Sequence, residues 1–289
     1  MQAAIERSGG VIVERPELAE ALIWLDPRDP SKLPPLLAAG PGIRWVQLPF
    51  AGIEPFLEHL APDRTWTSGK GVYAEPVAEM VLGMLLASVR NLVAYARATK
   101  WSEPVGRNLF GSHVVVLGGG EITGALLPLL APFNCRTTVL RRRAEPFKGA
   151  DRTASLKELA SIAPTADAII VALALTPQTR HVIDASILAA LPSHAVVVNV
   201  GRGGHIDTDA LARSLRAGEV GGAALDVTDP EPLPQGHPLW TEPRCLITPH
   251  VGNTPEMGRP LLEARVAENV ARFGSGAPLL GTVDIEAGY

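Results

Sequence analysis

An α/β fold built on a doubly wound parallel sheet is predicted by three features of the sequence. Apolar runs of strand length recur through its middle, helical patterns lie between several of them, and one run passes through three consecutive glycines into a helix start. The runs cover 113–117, 136–140, 168–171, 195–199 and 223–226, with helical patterns at 122–131 and 208–217. They read as short buried strands, and strands covered on both faces are what a parallel sheet requires. Upstream, the apolar runs 11–13, 21–24 and 45–47 lie among helical or Pro/Gly-bearing stretches, again an α/β pattern. A long helix-compatible stretch runs from residue 74 to about 97, and 255–273 reads as one amphipathic helix followed by a Gly-rich tail.

Composition narrows the function classes. The 289 residues are 46% hydrophobic and 19% charged, as in an ordinary globular enzyme of one large or two medium domains. A net charge of −4 gives no general attraction to nucleic acid or to an anionic membrane, and the one basic run, Arg141-Arg142-Arg143, is too short for a polyelectrolyte groove. Cys135 and Cys245 lie far apart with no Cys-x-x-Cys or Cys/His cluster, so no disulfide framework or metal site is expected, and a reducing cytoplasm is the natural compartment. The N-terminal residues lack a signal-peptide pattern, and the longest apolar stretch, 77–89, is too short to span a bilayer and carries Glu79.

The glycine turn is the first chemical signal. Residues 113–124 read His-Val-Val-Val-Leu-Gly-Gly-Gly-Glu-Ile-Thr-Gly, a strand, a turn and a helix start. A pyrophosphate approaching backbone N–H groups at a helix N-terminus needs positions with no Cβ in the way. Gly118 and Gly120 supply the first two glycines of the Gly-x-Gly-x-x-Gly pattern, and Glu121 and Ile122 open the helix. Thr123 stands at the third glycine, where it is expected to loosen helix–strand packing, and Glu121 places a carboxylate beside the phosphate site. A purely structural turn would read the same way, so the context carries weight. About a hundred residues precede the turn, unlike a lactate-dehydrogenase-like chain. None of Tyr73, Tyr95 and Tyr289 begins the Tyr-x-x-x-Lys pair of a short-chain dehydrogenase.

Further on come Asn-Val-Gly-Arg-Gly-Gly (199–204), Ala-Leu-Asp-Val-Thr-Asp-Pro-Glu-Pro-Leu-Pro (224–234) and Thr-Pro-His-Val-Gly-Asn (248–253). With Leu-Thr-Pro-Gln-Thr-Arg (175–180) and His-Pro-Leu-Trp (237–240), and more weakly 46–54 and 74–79, these segments resemble the D-isomer-specific 2-hydroxyacid dehydrogenases. That family includes phosphoglycerate, glyoxylate and hydroxypyruvate reductases, and the resemblance runs from about residue 45 onward. It implies hydride transfer between NAD(P)H and a small 2-oxo or 2-hydroxy acid. Arg202 would bind the substrate carboxylate, His250 would act as acid/base, and Glu231, 29 residues beyond Arg202, would orient that histidine. Thr176, Val200, Gly201 and Asp226 would line the cofactor, Asp226 at the nicotinamide carboxamide, and the backbone amides of Ala51 and Gly52 would meet the substrate carboxylate. The chemistry suits these residue types. A guanidinium grips a carboxylate bidentately and stays charged, and an imidazole gives and takes one proton per turnover, its cationic form favoured by a neighbouring carboxylate. Taken singly, each residue also has an ordinary structural reading.

The resemblance further implies a Rossmann-type dinucleotide domain over 87–255 and a flavodoxin-like α/β lid domain from 1–86 and 256–289, with the site in the cleft between them. No obvious strand precedes Val11, so part of the usual N-terminal sheet is expected to be missing. A homodimer is expected through the helical arm around 83–101. In NAD-preferring relatives an acidic residue ends the second strand and holds the ribose hydroxyls. Here the position 18 places after Thr123 is Arg141, followed by Arg142. Arginine suits a 2′-phosphate, so NADP is expected ahead of NAD. A dinucleotide-sensing binding protein or corepressor on the same fold is the alternative; the chain carries no low-complexity tail for recruiting partners, which favours an enzyme.

Overall fold

The computed structural model describes residues 1–26 and 29–286. In chain order its elements are α1 (Gln2–Arg7), β1 (Ala21–Ile23), α2 (Leu33–Ala39), β2 (Trp45–Gln47), β3 (Thr65–Thr67), α3 (Ala74–Val89) and α4 (Leu92–Arg97). There follow β4 (His113–Leu117), α5 (Glu121–Leu130), β5 (Arg136–Arg141), β6 (Arg152–Ser155), α6 (Leu159–Ile162), β7 (Ala168–Val171) and α7 (Ala185–Ala190). Last come β8 (Val196–Asn199), α8 (Thr208–Ala217), β9 (Gly222–Leu225), β10 (Cys245–Ile247) and α9 (Pro255–Ser275). The chain forms two compact units, Met1–Tyr73 with Thr254–Tyr289, and Ala74–Asn253. The expected C-terminal segment 256–289 ends in residues 287–289, which lie outside the described residues.

The first unit carries a parallel three-stranded sheet in the order β1-β2-β3. Its core gathers Trp24, Leu33, Val46, Leu48, Phe56 and Trp66. Helix α9 is tied to this sheet by Asn269, fully buried, whose Nδ2 donates to Gln47 Oε1 and to the Leu280 carbonyl, both at 3.0 Å. The tail then runs beside β3, bridging Thr67 to Thr282. The run 11–13 is not a strand: Val11 is 84% exposed, and among the described residues no neighbour pairs with it. Three residues without a ladder partner have nothing to hold them extended.

The second unit is an all-parallel seven-stranded sheet, ordered β10-β9-β8-β7-β4-β5-β6. The order reverses between β4 and β7, which makes a topological switch point there. The alternation along each strand feeds two cores. Val114, Val116, Ile170 and Val198 face α3 and α5, while Val115, Leu117, Ile169 and Val197 face α6, α7 and α8. Both faces are covered, which is why these strands read as continuous apolar runs in the sequence.

The division between units falls at Tyr73/Ala74 rather than after residue 86. Helix α3 buries Ala78, Val81, Met84 and Leu85 against the second unit's sheet. At about 1.5–3 kcal/mol for each large buried side chain, that face decides where the helix belongs. The helix-compatible stretch 74–97 is also not continuous. It breaks at Asn91, which takes a left-handed conformation (φ 56°), and α4 beyond it buries no residue. Strands β3, β6 and β10 had no clear sequence signal, because each is a short edge strand; in β6 only Ala154 is buried.

Candidate active site

Every element proposed to carry chemistry in the second unit leaves the carboxyl end of a parallel strand. The glycine turn follows β4, Arg141 ends β5, Arg202 follows β8, Asp226 follows β9 and His250 follows β10. Parallel strands bring these ends to one edge of the sheet, where open α/β folds bind ligands.

The three glycines of the turn are needed for three different reasons. Gly118 has φ +114°, and a Cβ there would sit 2.5 Å from the Ala172 carbonyl oxygen just past β7, so backbone packing excludes any side chain. A Cβ on Gly119 would meet Arg141 and Phe147. A Cβ on Gly120, the residue before α5, would meet nothing within 4 Å, so the helix start is left open to a phosphate. The first-turn N–H groups of Glu121 and Ile122 have no partner within the helix by its geometry, and the Glu121 side chain is exposed to solvent. The turn therefore fits a dinucleotide pyrophosphate. Thr123 does not loosen it. Its side chain is fully buried and its hydroxyl donates to the Gly118 carbonyl at 2.7 Å, tying the helix to the turn where a third glycine would only leave room.

Arg141, half-buried at the end of β5, lies back toward this turn with its guanidinium carbon 5.8 Å from the centre of the Phe147 ring. The strand ends in this arginine rather than in a carboxylate that could accept ribose hydroxyls. Arg142, next in the chain, is exposed.

The Arg202 loop is built by Asn199, fully buried at the end of β8. Asn199 Nδ2 donates to the Arg202 carbonyl (2.9 Å), its Oδ1 accepts from Gly201 N–H (3.0 Å), and Arg202 N–H donates to His205 Nδ1 (3.1 Å). Gly203 is packed so closely that a Cβ would stand 1.9 Å from the Thr228 carbonyl group. That contact presses the Arg202 loop onto the 226–229 loop, and it explains a glycine that the sequence pattern alone does not. Val200, nearly buried, donates its N–H to the Val171 carbonyl at 3.1 Å.

His250 and Glu231 do meet. His250 Nδ1 is 2.7 Å from Glu231 Oε1, with both side chains about half exposed. A carboxylate on Nδ1 fixes a donor there and leaves Nε2 to exchange the working proton. His250 holds a left-handed backbone (φ 53°), unusual for a residue with a side chain, and is kept there by its N–H bonds to the Asp226 and Thr248 carbonyls. Asp226, 4% exposed, does more than the resemblance implies. Its Oδ1 accepts from Thr248 Oγ1 (2.6 Å) and Val251 N–H (2.9 Å), and its Oδ2 from Gly252 N–H (2.8 Å). A carboxylate has about four acceptor sites, so about one remains for any ligand.

Thr176 sits in a turn organised by a residue that sequence reasoning passed over. Thr179 Oγ1 accepts from Thr176 N–H and donates to the Ala174 carbonyl, both at 2.8 Å. Arg180 pairs with Asp229 at 3.0 Å, linking this turn to the loop that carries Glu231. Both residues lie within the quoted motif; Thr179 is bonded inside its own turn, whereas the partner of Arg180 is distant in sequence. Ala51 and Gly52 lie in the first unit, in the segment after β2. Tyr73, also in that unit, donates its hydroxyl to the Pro49 carbonyl at 2.7 Å, and burial pushes its pKa up to about 12.

A parallel sheet with this switch point, a glycine turn open to phosphate and a carboxylate-bound histidine at the same edge define a dinucleotide-dependent dehydrogenase. The family model for the NAD binding domain of D-isomer specific 2-hydroxyacid dehydrogenases matches residues 82–252. A Corynebacterium melassecola protein known only as an uncharacterized protein in the proB 3′ region is 38% identical, over 86% of this chain and 84% of its own. The human glyoxylate reductase/hydroxypyruvate reductase is 31% identical over 84% of this chain and 77% of its own. A D-isomer specific 2-hydroxyacid dehydrogenase from Xanthobacter autotrophicus Py2, solved in complex with NADPH and MES, superposes with a TM-score of 0.84 at 28% identity, covering 100% of this chain and 95% of that one. The chain belongs to the D-isomer specific 2-hydroxyacid dehydrogenase family, and is an NAD(P)-dependent oxidoreductase of that class.

Proposed function

We propose that the protein reduces a small 2-oxo acid of the glyoxylate or hydroxypyruvate type to the D-2-hydroxy acid, with NADPH as the preferred cofactor. The observation that carries this reading is the 2.7 Å His250–Glu231 hydrogen bond at the carboxyl edge of the sheet that also holds the glycine turn. When bound, the reduced nicotinamide supplies a hydride to the carbonyl carbon. Arg202 holds the substrate carboxylate and polarises the adjacent carbonyl. The protonated His250 ring, oriented by Glu231, delivers the proton from Nε2 to the carbonyl oxygen. Hydride and proton together convert the 2-oxo group to a 2-hydroxy group. Asp226 holds the 248–252 turn that presents His250. Gly118 and Gly120, the amides of Glu121 and Ile122, and the Thr176 and Val200–Gly201 segments would line the dinucleotide.

The NADPH preference rests on Arg141, which stands at the strand end where an acid would favour NAD. Each hydrogen bond to a charged group is worth about 1.5–3 kcal/mol, so a single contact to a 2′-phosphate favours NADPH by about 10- to 150-fold. The Xanthobacter relative, solved with NADPH, supports the same choice. Initial rates with glyoxylate, hydroxypyruvate, phosphohydroxypyruvate and a bulkier 2-oxo acid, each with NADPH and NADH, test the proposal. A preference for NADPH that weakens or reverses in Arg141→Asp is expected. Equal kcat/KM with both cofactors, unaffected by that substitution, defeats the cofactor reading, and no turnover with any of the acids defeats the substrate reading.

A cytoplasmic homodimer completes the proposal. Cys135 and Cys245 are both free thiols. Helix α4 buries nothing, and the stretch beyond it leaves Trp101 wholly exposed and Val105 and Phe110 more than half exposed. Apolar surface gathered on one arm suits a subunit contact. Light scattering that finds a monomer at micromolar concentration would remove the dimer.

A further inference from the structure

The middle glycine of the turn has no reason to be glycine in the pyrophosphate argument. Gly119 occupies a variable position of the Gly-x-Gly-x-x-Gly pattern, its φ is not in the left-handed range, and no backbone crowds it. What crowds it is the end of β5. A Cβ on Gly119 would lie 3.0 Å from Arg141 Cδ, 3.1 Å from Arg141 Nε and 3.2 Å from Phe147 Cδ2, all closer than carbon normally tolerates. The arginine stem and the phenylalanine ring edge together cover the bare face of this glycine.

Phe147 is itself placed by the fold. Its N–H donates to Thr153 Oγ1 at 2.8 Å, so edge strand β6 anchors the loop that brings the ring to Arg141. The ring is partly buried against the core under α5, and the Arg141 guanidinium stands over it at 5.8 Å, within cation–π range. An arginine held on two sides before a ligand arrives loses less rotamer freedom on binding than a free one.

We propose that Gly119 is a specificity-determining residue: its missing side chain leaves the space in which Arg141, backed by Phe147, is held at the turn ready for the 2′-phosphate of NADPH. The inference rests on the NADPH reading above and assigns that preference to three positions rather than one.

The test measures binding, not turnover, with 2′,5′-ADP and 5′-AMP, which differ only by the 2′-phosphate, as probes titrated calorimetrically. The readout is the ratio of their affinities, which isolates the 2′-phosphate from any general disturbance of the turn. Arg141→Ala is expected to lower the ratio by at least about tenfold, the loss of a charge-assisted contact. Gly119→Ala is expected to lower it by about three- to tenfold, since its Cβ must displace the arginine. That variant should fold normally, because the atoms it meets belong to side chains, and a melting curve checks this. Phe147→Leu keeps the apolar bulk, removes the ring face, and is expected to lower the ratio in the same direction. If Arg141→Ala lowers the ratio while Gly119→Ala and Phe147→Leu leave it within twofold of the unmodified protein, the proposal is overturned and the NADPH reading stands. If Arg141→Ala itself leaves the ratio unchanged, the NADPH reading falls and this inference falls with it.

Discussion

Removing the Asp226 carboxylate separates the proposed contact with the cofactor from construction of the histidine turn. The carboxylate is 4% exposed and accepts three hydrogen bonds, two of them from the backbone N–H groups of Val251 and Gly252. In Asp226→Ala both N–H groups are left without an acceptor, at about 1–3 kcal/mol each, a total of about 2–6 kcal/mol. In Asp226→Asn one oxygen survives and the amide nitrogen must face at least one N–H donor, so the expected loss is about 1–3 kcal/mol. For a domain of this size each kcal/mol moves Tm by about 2–4 °C. Calorimetric unfolding should therefore show a drop of several degrees in the Asn variant and roughly twice that in the Ala variant. Turnover should fall in step, because His250 loses the turn that holds its left-handed backbone. Cofactor-free protein is the right sample, since a residue that only touched the nicotinamide would leave its stability alone. A Tm for Asp226→Ala within 1 °C of the unmodified protein would refute the reasoning.

Three other outcomes follow from particular groups. His250→Ala should cut kcat by about 10²–10⁴-fold, the usual contribution of a positioned acid, and Glu231→Gln by about 10–150-fold, matching the loss of one charged hydrogen bond; unchanged kcat in either variant would remove that residue from its role. Burial holds the His113 imidazole below its ordinary 6.5, between the Thr165 carbonyl and Thr138 Oγ1 at 2.8 Å each. A depressed pKa favours the neutral ring in the fold, so its contribution is full above about pH 6.5 and is lost as pH falls through the lower folded value. Tm of the unmodified protein should decline more steeply below that pH than Tm of His113→Gln, and parallel curves would contradict this. Burial likewise pushes the Cys245 thiol up to about 12, so mass spectrometry after iodoacetamide at pH 8 should find it alkylated only once the protein is unfolded.

The central strands were legible because burial on both faces demands uninterrupted apolar residues. Strands β4, β5, β7, β8 and β9 all lie close to the runs read from the sequence. Arg202, Glu231 and His250 could be proposed from the sequence for a different reason: chemistry restricts residue types, and turns restrict their glycines and prolines, so the motifs persist as local strings. Short edge strands such as β6 carry neither constraint. The run 11–13 shows the converse, since three apolar residues mean a strand only when a neighbour pairs with them.

What only the tertiary structure decided are the contacts between residues far apart in the chain. Helix α3 is apolar on most of its faces wherever it is placed, and its partner sheet, not its own pattern, assigns it to the second unit. Thr123 reads as a defect in the glycine pattern until its hydroxyl is seen on the Gly118 carbonyl. Gly203 has no local reason to be glycine, because the group that excludes a side chain belongs to Thr228, 25 residues later. Gly119 is bare because of Arg141 and Phe147, and Asp226 is buried because the turn bearing His250 folds back onto it. The sequence by itself determined which chemistry the chain carries, through period, composition and short motifs that depend only on neighbouring residues. Close packing determined how that chemistry is held, since a steric exclusion or a buried hydrogen bond exists only once two separate segments arrive at the same place.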